Sequence, residues 1–109
     1  MKFLTIGNYK DAFYTLPQAE RQKVLVPQTE YNLEMKKKLG DKFHLYTVPG
    51  GNKIVFILDV DTLEDLSAFF RQAPVVQAGY FHIESLPLIE ADVKWLEARA
   101  ASVKKGQST

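Results

Sequence analysis

Hydrophobic and polar positions alternate over four short stretches of the chain, and this alternation predicts β-strands. The stretches are residues 3–9, 43–48, 53–60 and 75–84, each rich in aromatic and β-branched side chains. The second and third are separated by Pro49-Gly50-Gly51-Asn52, a composition that favours the positive φ angles of a tight turn. We therefore expect a β-hairpin between them.

Apolar residues spaced by three or four positions predict three helices. The first begins near Thr15, a suitable N-cap, and ends at Gly40. The second begins at Asp61 or Thr62, and the third covers residues 89–103.

Pro27 lies inside the first predicted helix. Proline removes one backbone donor and its ring clashes with the carbonyl four residues back. We therefore expect this helix to be kinked or broken near Leu25 and Val26.

The resulting order of elements is βαββαβ with one further helix. In one sheet with helices on one face, this order is the α+β, ferredoxin-like arrangement. A chain of 109 residues fits one domain, which would bury roughly 60–70% of its unfolded surface. We expect this domain over residues 1–103 and a disordered tail over residues 104–109.

The same alternation divides the predicted strands into two faces. The face expected to pack against the helices is apolar: Leu4, Ile6, Phe43, Leu45, Ile54, Phe56, Leu58, Phe81 and Ile83. The opposite face mixes aromatic and polar side chains: Phe3, Thr5, His44, Tyr46, Val55, Ile57, Tyr80, His82 and Glu84. A mixed surface of this kind is typical of an interface or a ligand cleft. We expect a homodimer built on it, because most soluble oligomers are symmetric homodimers.

Composition and charge exclude several kinds of partner and chemistry. Fourteen basic and thirteen acidic residues leave a formal net charge of +1, so no strong field would attract nucleic acid or an acidic membrane. The absence of cysteine excludes disulfides, thiolate catalysis and cysteine-ligated metals. The first apolar run is too short for a signal peptide or a membrane span. We expect a cytoplasmic protein with neither nucleic-acid nor membrane partners.

The hairpin region resembles one known family, the muconolactone delta-isomerases of the dimeric α/β-barrel superfamily. The resemblance covers roughly residues 43–85 and lies in His44-Leu45-Tyr46-x-Val48-x-Gly50, Phe56-x-Leu58-Asp59-Val60, Glu64-x-Leu66 and Gln72-x-Pro74. It implies that two ferredoxin-like sheets pack face to face into a barrel, with further assembly in some members. It also implies a small-molecule pocket between sheet and helices or at the subunit interface. The family has an arginine where this chain has Thr47, so one cation that could hold a lactone carboxylate is missing.

His44 and His82 are the candidate catalytic residues, since imidazole titrates near neutral pH and can act as a general acid or base. In the ferredoxin-like strand order 4-1-3-2 they lie on opposite edge strands, about 14 Å apart at about 4.8 Å per strand step. We expect them to meet only if the dimer brings His82 of one subunit towards His44 of the other. An interface or pocket-lining role is the alternative for each.

Four further side chains are expected to line the pocket: Thr5, Tyr46, Tyr80 and Glu84. The tyrosine hydroxyls could polarise a carbonyl, and Glu84 could orient the imidazole of His82. We expect no cofactor and no metal. A two-histidine metal site completed by Glu84 is the alternative.

The chain contains no nucleophile elbow, phosphate loop or zinc spacing that would define a reaction. We expect a dimeric α/β-barrel protein that binds a small molecule, and the family resemblance implies a cofactor-free isomerase. Two alternatives remain open. One is a non-catalytic metabolite-binding or assembly module of the same fold, and the other is a cofactor-free monooxygenase-like enzyme.

Overall fold

The computed structural model describes residues 1–107. Within these residues the strands are β1 (Lys2–Tyr9), β2 (Phe43–Thr47), β3 (Lys53–Asp59) and β4 (Phe81–Leu88). The helices are α1 (Asp11–Tyr14), α2 (Gln18–Leu39), α3 (Leu63–Arg71), α4 (Pro74–Gln77) and α5 (Val93–Gln107), and a 3-10 turn covers Gly40–Lys42.

The four strands form one antiparallel sheet in the order β2-β3-β1-β4. This is the strand order of the ferredoxin-like arrangement, and the predicted α+β fold class is confirmed. The expected hairpin joins β2 to β3, and its turn uses Gly50 at a φ of 73°. Strands β2 and β4 are therefore the two free edges of the sheet in a single chain.

Helix α2 is the longest element and packs along the sheet. It begins at Gln18 rather than near Thr15, whose hydroxyl instead donates to the Ala12 carbonyl. Of the two predicted outcomes near Leu25 and Val26, a kink or a break, the break does not occur, because the helix runs continuously through Pro27. Pro27 is exposed, so the backbone carbonyl that loses its helical donor there can bind water.

The predicted faces are confirmed for β2, β3 and β4 but are wrong for β1. Phe3 and Thr5 pair with Leu58 and Phe56 and are buried on the helix-covered face. Gly7 fixes this orientation, because the Phe81 ring lies over it: a Cβ added at Gly7 would be 2.1 Å from Phe81 Cζ. Leu4 and Ile6, together with Asn8, therefore lie on the opposite face.

Strand β4 begins six residues later than predicted. Pro74 occupies the first turn of α4, and the residues expected to open the strand form this short helix. Gly79, at a φ of 80°, then turns the chain into β4. Tyr80 consequently precedes the strand, and its carbonyl accepts a hydrogen bond from Lys10 N.

The core lies between one face of the sheet and the helices α2, α3 and α4. Thr62 caps α3 as expected, accepting a hydrogen bond from Asp65 N at 3.1 Å. The buried cluster is dominated by phenylalanine: Phe3, Phe43, Phe56, Leu58, Leu66, Phe69, Phe70, Val75 and Phe81. We call the other face, which no helix of the chain covers in residues 1–107, the open face.

Helix α5 extends away from the sheet. Every side chain of α5 up to Gly106 is exposed, and the radius of gyration is 18.3 Å, against about 13 Å for a compact domain of this length. The disordered tail predicted at 104–109 partly overlaps this helix, which includes residues 104–107. Residues 108–109 lie outside the described residues.

Candidate functional site

A groove of about 590 Å³ runs between α2 and the free edge of β2. It is larger than the depressions beside α3, which measure about 280, 330 and 350 Å³. Small-molecule sites in proteins are typically clefts of about 300–1,000 Å³ with mostly apolar walls and a few polar groups. Its apolar lining comes from Leu25, Leu33, Phe43, Leu45 and Ile54.

The groove exists because α2 covers only the first part of β2. Phe43 is buried under the helix, whereas Leu45 and the residues after it are exposed. The hydrogen bond from Val48 N to the Lys53 carbonyl fixes the register of the hairpin. By antiparallel geometry, the backbone groups of Leu45 and Thr47 then point away from β3. The free edge of β2 thus adds backbone donors and acceptors to one wall.

Three polar side chains, spaced by four positions, line the α2 wall of the groove: Gln28, Asn32 and Lys36. Gln28 is 6% exposed, and its Oε1 accepts a hydrogen bond from Val75 N at 3.0 Å. Its Nε2 donates to Asn32 Oδ1 at 2.8 Å. Lys36 Nζ donates to the carbonyls of Gly40 and Phe43, a favourable position for a cation at a helix C-terminus.

Tyr9 forms the inner end of the groove, where its ring stacks on Phe13 at 4.6 Å between centroids. Burial, and to a smaller extent the neighbouring Tyr14, raise the pKa of the Tyr9 hydroxyl above its ordinary value. The phenol is therefore neutral at physiological pH. Within residues 1–107 no carboxylate lines this groove, and its ionisable residues are Tyr9, Lys36, His44 and Tyr46.

His44 and His82 both project from the open face, as alternation predicts. They lie on opposite edge strands, and the register also offsets them along the sheet: His44 is level with Leu4, whereas His82 is level with Asn8. This offset places them about 20 Å apart, counting three strand steps and four residues. The structure brings His44 close to Tyr46, with ring centroids 6.5 Å apart, and does not bring it to His82.

The other predicted pocket residues divide between the two faces. Thr5 is wrongly assigned to the open face: it is 0% exposed, and its hydroxyl lies 2.7 Å from Ser85 Oγ. Tyr80 precedes β4, and its ring lies 5.9 Å from that of Phe13. Tyr46 and Glu84 do share the open face, level with each other on opposite edges.

Neither a metal centre nor a membrane span is formed by the described residues. No group of three or more histidine, aspartate or glutamate residues lies close enough to hold a metal ion within residues 1–107. No helix in that range is long and apolar enough to cross a membrane. At the His82 end of the open face, Asn8 Oδ1 is buried and has no hydrogen-bond partner among the described residues.

Asn32 and Lys36 were not among the predicted site residues. Gln28 lies in line with Val24 and Tyr31 at the spacing of a helix face that packs on a core, and an amide in such an otherwise apolar row is unusual. The spacing Gln28, Asn32, Lys36 places three polar groups on one helix face. This ladder is the sequence signal that could have identified the groove.

Comparison with protein-family models and with curated proteins gives no match. Among solved structures, muconolactone isomerase is similar with a TM-score of 0.69 and 21% identity, over 83% of this chain and 90% of that chain. A 5-chloro-2-hydroxyhydroquinone dehydrochlorinase from Burkholderia phenoliruptrix, in complex with 2,5-dihydroxybenzoquinone, has a TM-score of 0.55 and 16% identity, over 83% of this chain and 95% of that chain. The chain therefore has the ferredoxin-like fold of muconolactone isomerase, as the resemblance in the hairpin region implies.

Proposed function

We propose that this protein is a homodimer in which each subunit binds a small, largely apolar molecule in the groove between α2 and β2. The observation that carries the proposal is the groove itself, which combines a suitable volume, apolar walls and convergent polar groups. The fold supports it, since one similar structure is an isomerase of a lactone and the other contains a bound quinone. No carboxylate lines the groove within residues 1–107, so an acid–base step there would have to use His44 on its β2 wall.

A groove-filling substitution tests the binding proposal. Leu45 lies on the groove wall and is 37% exposed, so Leu45→Trp adds bulk to the groove with little strain on the core. We expect fragments that shift the amide resonances of α2 and β2 in the wild type to lose that effect in Leu45→Trp. Leu63→Trp, at an exposed site on α3, is the matched control and should retain binding. Fragment effects that survive Leu45→Trp would refute the groove as the binding site.

The open face supports the homodimer. Its centre is formed by Leu4, Ile6, Val55 and Ile57, side chains that no helix of the same chain covers in residues 1–107. Burying such apolar area is favourable by roughly 25 cal/mol per Å². A second copy offers the same surface in a symmetric, self-complementary way.

The molecular mass in solution tests the dimer. We expect sedimentation at micromolar concentration to give twice the chain mass, and Ile57→Lys, at the centre of the open face, to give a monomer. Val26→Lys introduces the same charge at an exposed position of α2 and should leave the dimer intact. A monomeric wild type would contradict this part of the proposal.

The cofactor-free isomerase is the second candidate, favoured by the shared face of His44 and His82. Their separation within one chain means that an active site using both would have to be completed by the second subunit. General acid–base assistance is typically worth about 10²–10⁴ in rate. Mixing inactive His44→Ala and inactive His82→Ala subunits should then restore activity in the heterodimer. Full activity of either single variant would exclude a shared histidine site.

A further inference from the structure

We propose that the groove selects ligands through a hydrogen-bond acceptor oxygen, such as a carbonyl, enolate or carboxylate oxygen, and that the Gln28–Asn32 pair sets this preference. The inference rests on the proposed function, because it names the ligand chemistry of the same groove. It follows from the direction of a short chain of hydrogen bonds that starts at a backbone N–H group.

The direction of this chain is fixed at Val75. A backbone N–H can only donate, so the Gln28 atom 3.0 Å from Val75 N must be the side-chain oxygen. The NH₂ group of Gln28 then faces Asn32, which must accept with its own oxygen at 2.8 Å. Each amide orientation is thus determined by the one before it. The remaining group of Asn32 is its NH₂, a donor without a partner within residues 1–107.

Burial makes the first amide of this chain hard to reverse. Gln28 is 6% exposed, and turning its amide would place an NH₂ group against the Val75 N–H and leave two buried donors unsatisfied. A buried polar group left without a partner is unfavourable, because it has lost its hydrogen bonds to water and gained none in the protein. Asn32 is half-buried on the groove wall, so it presents a donor there in a fixed orientation.

The charges around Asn32 favour the same kind of ligand. Lys36 lies one helical turn further along the same wall and uses two of its three N–H groups on the Gly40 and Phe43 carbonyls. Its third N–H and its charge remain available to a ligand. The hydroxyl of Thr29 donates to the Leu25 carbonyl and therefore adds no donor. Among the lining residues no carboxylate opposes an anionic or electron-rich oxygen.

Three probes of similar size separate the possible ligand chemistries: benzoate carries a carboxylate, acetophenone a neutral ketone and benzylamine a donor-only cation. We expect benzoate and acetophenone to shift the Asn32 side-chain amide resonances in ¹H–¹⁵N spectra, with benzylamine binding at least tenfold more weakly. Asn32→Asp replaces the donor by an acceptor of the same shape. It should weaken both oxygen ligands by tenfold or more and strengthen benzylamine.

Two further variants separate this inference from a purely structural role of the pair. Lys36→Met should weaken benzoate more than acetophenone, because only benzoate is charged. Lys37→Met removes the same charge from an exposed position of α2 that does not line the groove, and should leave all three affinities unchanged. Circular dichroism of each variant verifies that the fold is retained.

The outcomes distinguish failure of this inference from failure of the proposed function. If benzylamine binds in the groove as tightly as the two oxygen ligands, or if Asn32→Asp leaves acetophenone binding unchanged, the donor preference is wrong while groove binding stands. If none of the three probes, nor any other fragment, shifts groove resonances, the proposed function is wrong and the inference falls with it.

Discussion

Gly7→Ala is the substitution most sensitive to the orientation of β1. The added methyl carbon would be 2.1 Å from Cζ and 2.3 Å from Cε2 of Phe81. Carbon atoms in ordinary van der Waals contact are about 3.5–4.0 Å apart, so the ring would have to move by more than 1 Å. Phe81 is 6% exposed and packs edge-on against Tyr9 and Phe56. The ring therefore has little room to move.

The expected magnitude is a balance of two effects. Gly7 does not have a positive φ, so alanine at this position should restrict the unfolded chain and stabilise the fold by about 0.4–1 kcal/mol. Forcing a methyl group into a packed core costs typically about 1–3 kcal/mol. The difference between these ranges is a net loss of about 0–2.6 kcal/mol. Because the Phe81 ring has little room to move, we expect Gly7→Ala to lower the free energy of unfolding by roughly 1–2 kcal/mol, away from the lower end of that range.

Urea unfolding followed by far-ultraviolet circular dichroism, at one fixed protein concentration, measures this free energy. Gly51→Ala is the control, because its added carbon would be 3.6 Å or more from any neighbour, and it should be neutral or slightly stabilising. In a Phe81→Leu background the colliding ring atoms are gone, so Gly7→Ala should change sign and stabilise. A neutral Gly7→Ala, or a cost unchanged by Phe81→Leu, would refute the orientation of β1.

Three other predictions concern stability. Thr5→Val removes the hydrogen bond to Ser85 Oγ and should lower the free energy of urea unfolding by about 1 kcal/mol; an unchanged value would contradict a buried, paired hydroxyl. Burial first, and then the charge of Glu34, raise the pKa of Tyr31, so stability should be full below about pH 10, the ordinary tyrosine value, and fall as the pH rises beyond it. In denaturation experiments between pH 9 and pH 11, the free energy of unfolding of Tyr31→Phe should fall less than that of the wild type. An equal fall would show that Tyr31 does not cause the loss of stability. Deleting residues 93–109 should change the unfolding free energy by less than about 0.5 kcal/mol, since the α5 side chains up to Gly106 are exposed; a larger loss would show that α5 supports the sheet.

Strand alternation predicted the sheet well wherever the two faces differ in character. In β2 and β4 apolar residues alternate with His44, Tyr46, His82 and Glu84, so the face toward the core is clear. In β1 the apolar Leu4 and Ile6 alternate with Phe3 and Thr5, so the polar hydroxyl of Thr5 made alternation favour the wrong face. The contact between Gly7 and Phe81 determines which face of β1 points to the core. This is a tertiary contact, and a single glycine in a strand indicates only that another group can approach closely.

The candidate site was harder to predict from the sequence than the fold was. Two histidines on one face drew attention to the open face, whereas the groove depends on how far α2 covers β2. That coverage is set by the packing of the helix, and no local pattern encodes it. The orientation of the Asn32 amide depends on Val75, 43 positions away in the chain, and on the short helix α4, where alternation predicts a strand.

The position of the single tryptophan has a practical consequence for spectroscopy. Trp95 lies on α5, is 45% exposed and is not part of the phenylalanine cluster that holds the sheet to its helices. Indole emission depends on the water around the ring, and the wavelength of the emission maximum should barely change when the sheet melts. The same emission becomes a specific reporter of α5: a blue shift on raising the protein concentration would reveal a surface that docks against this helix, without any label added to the chain.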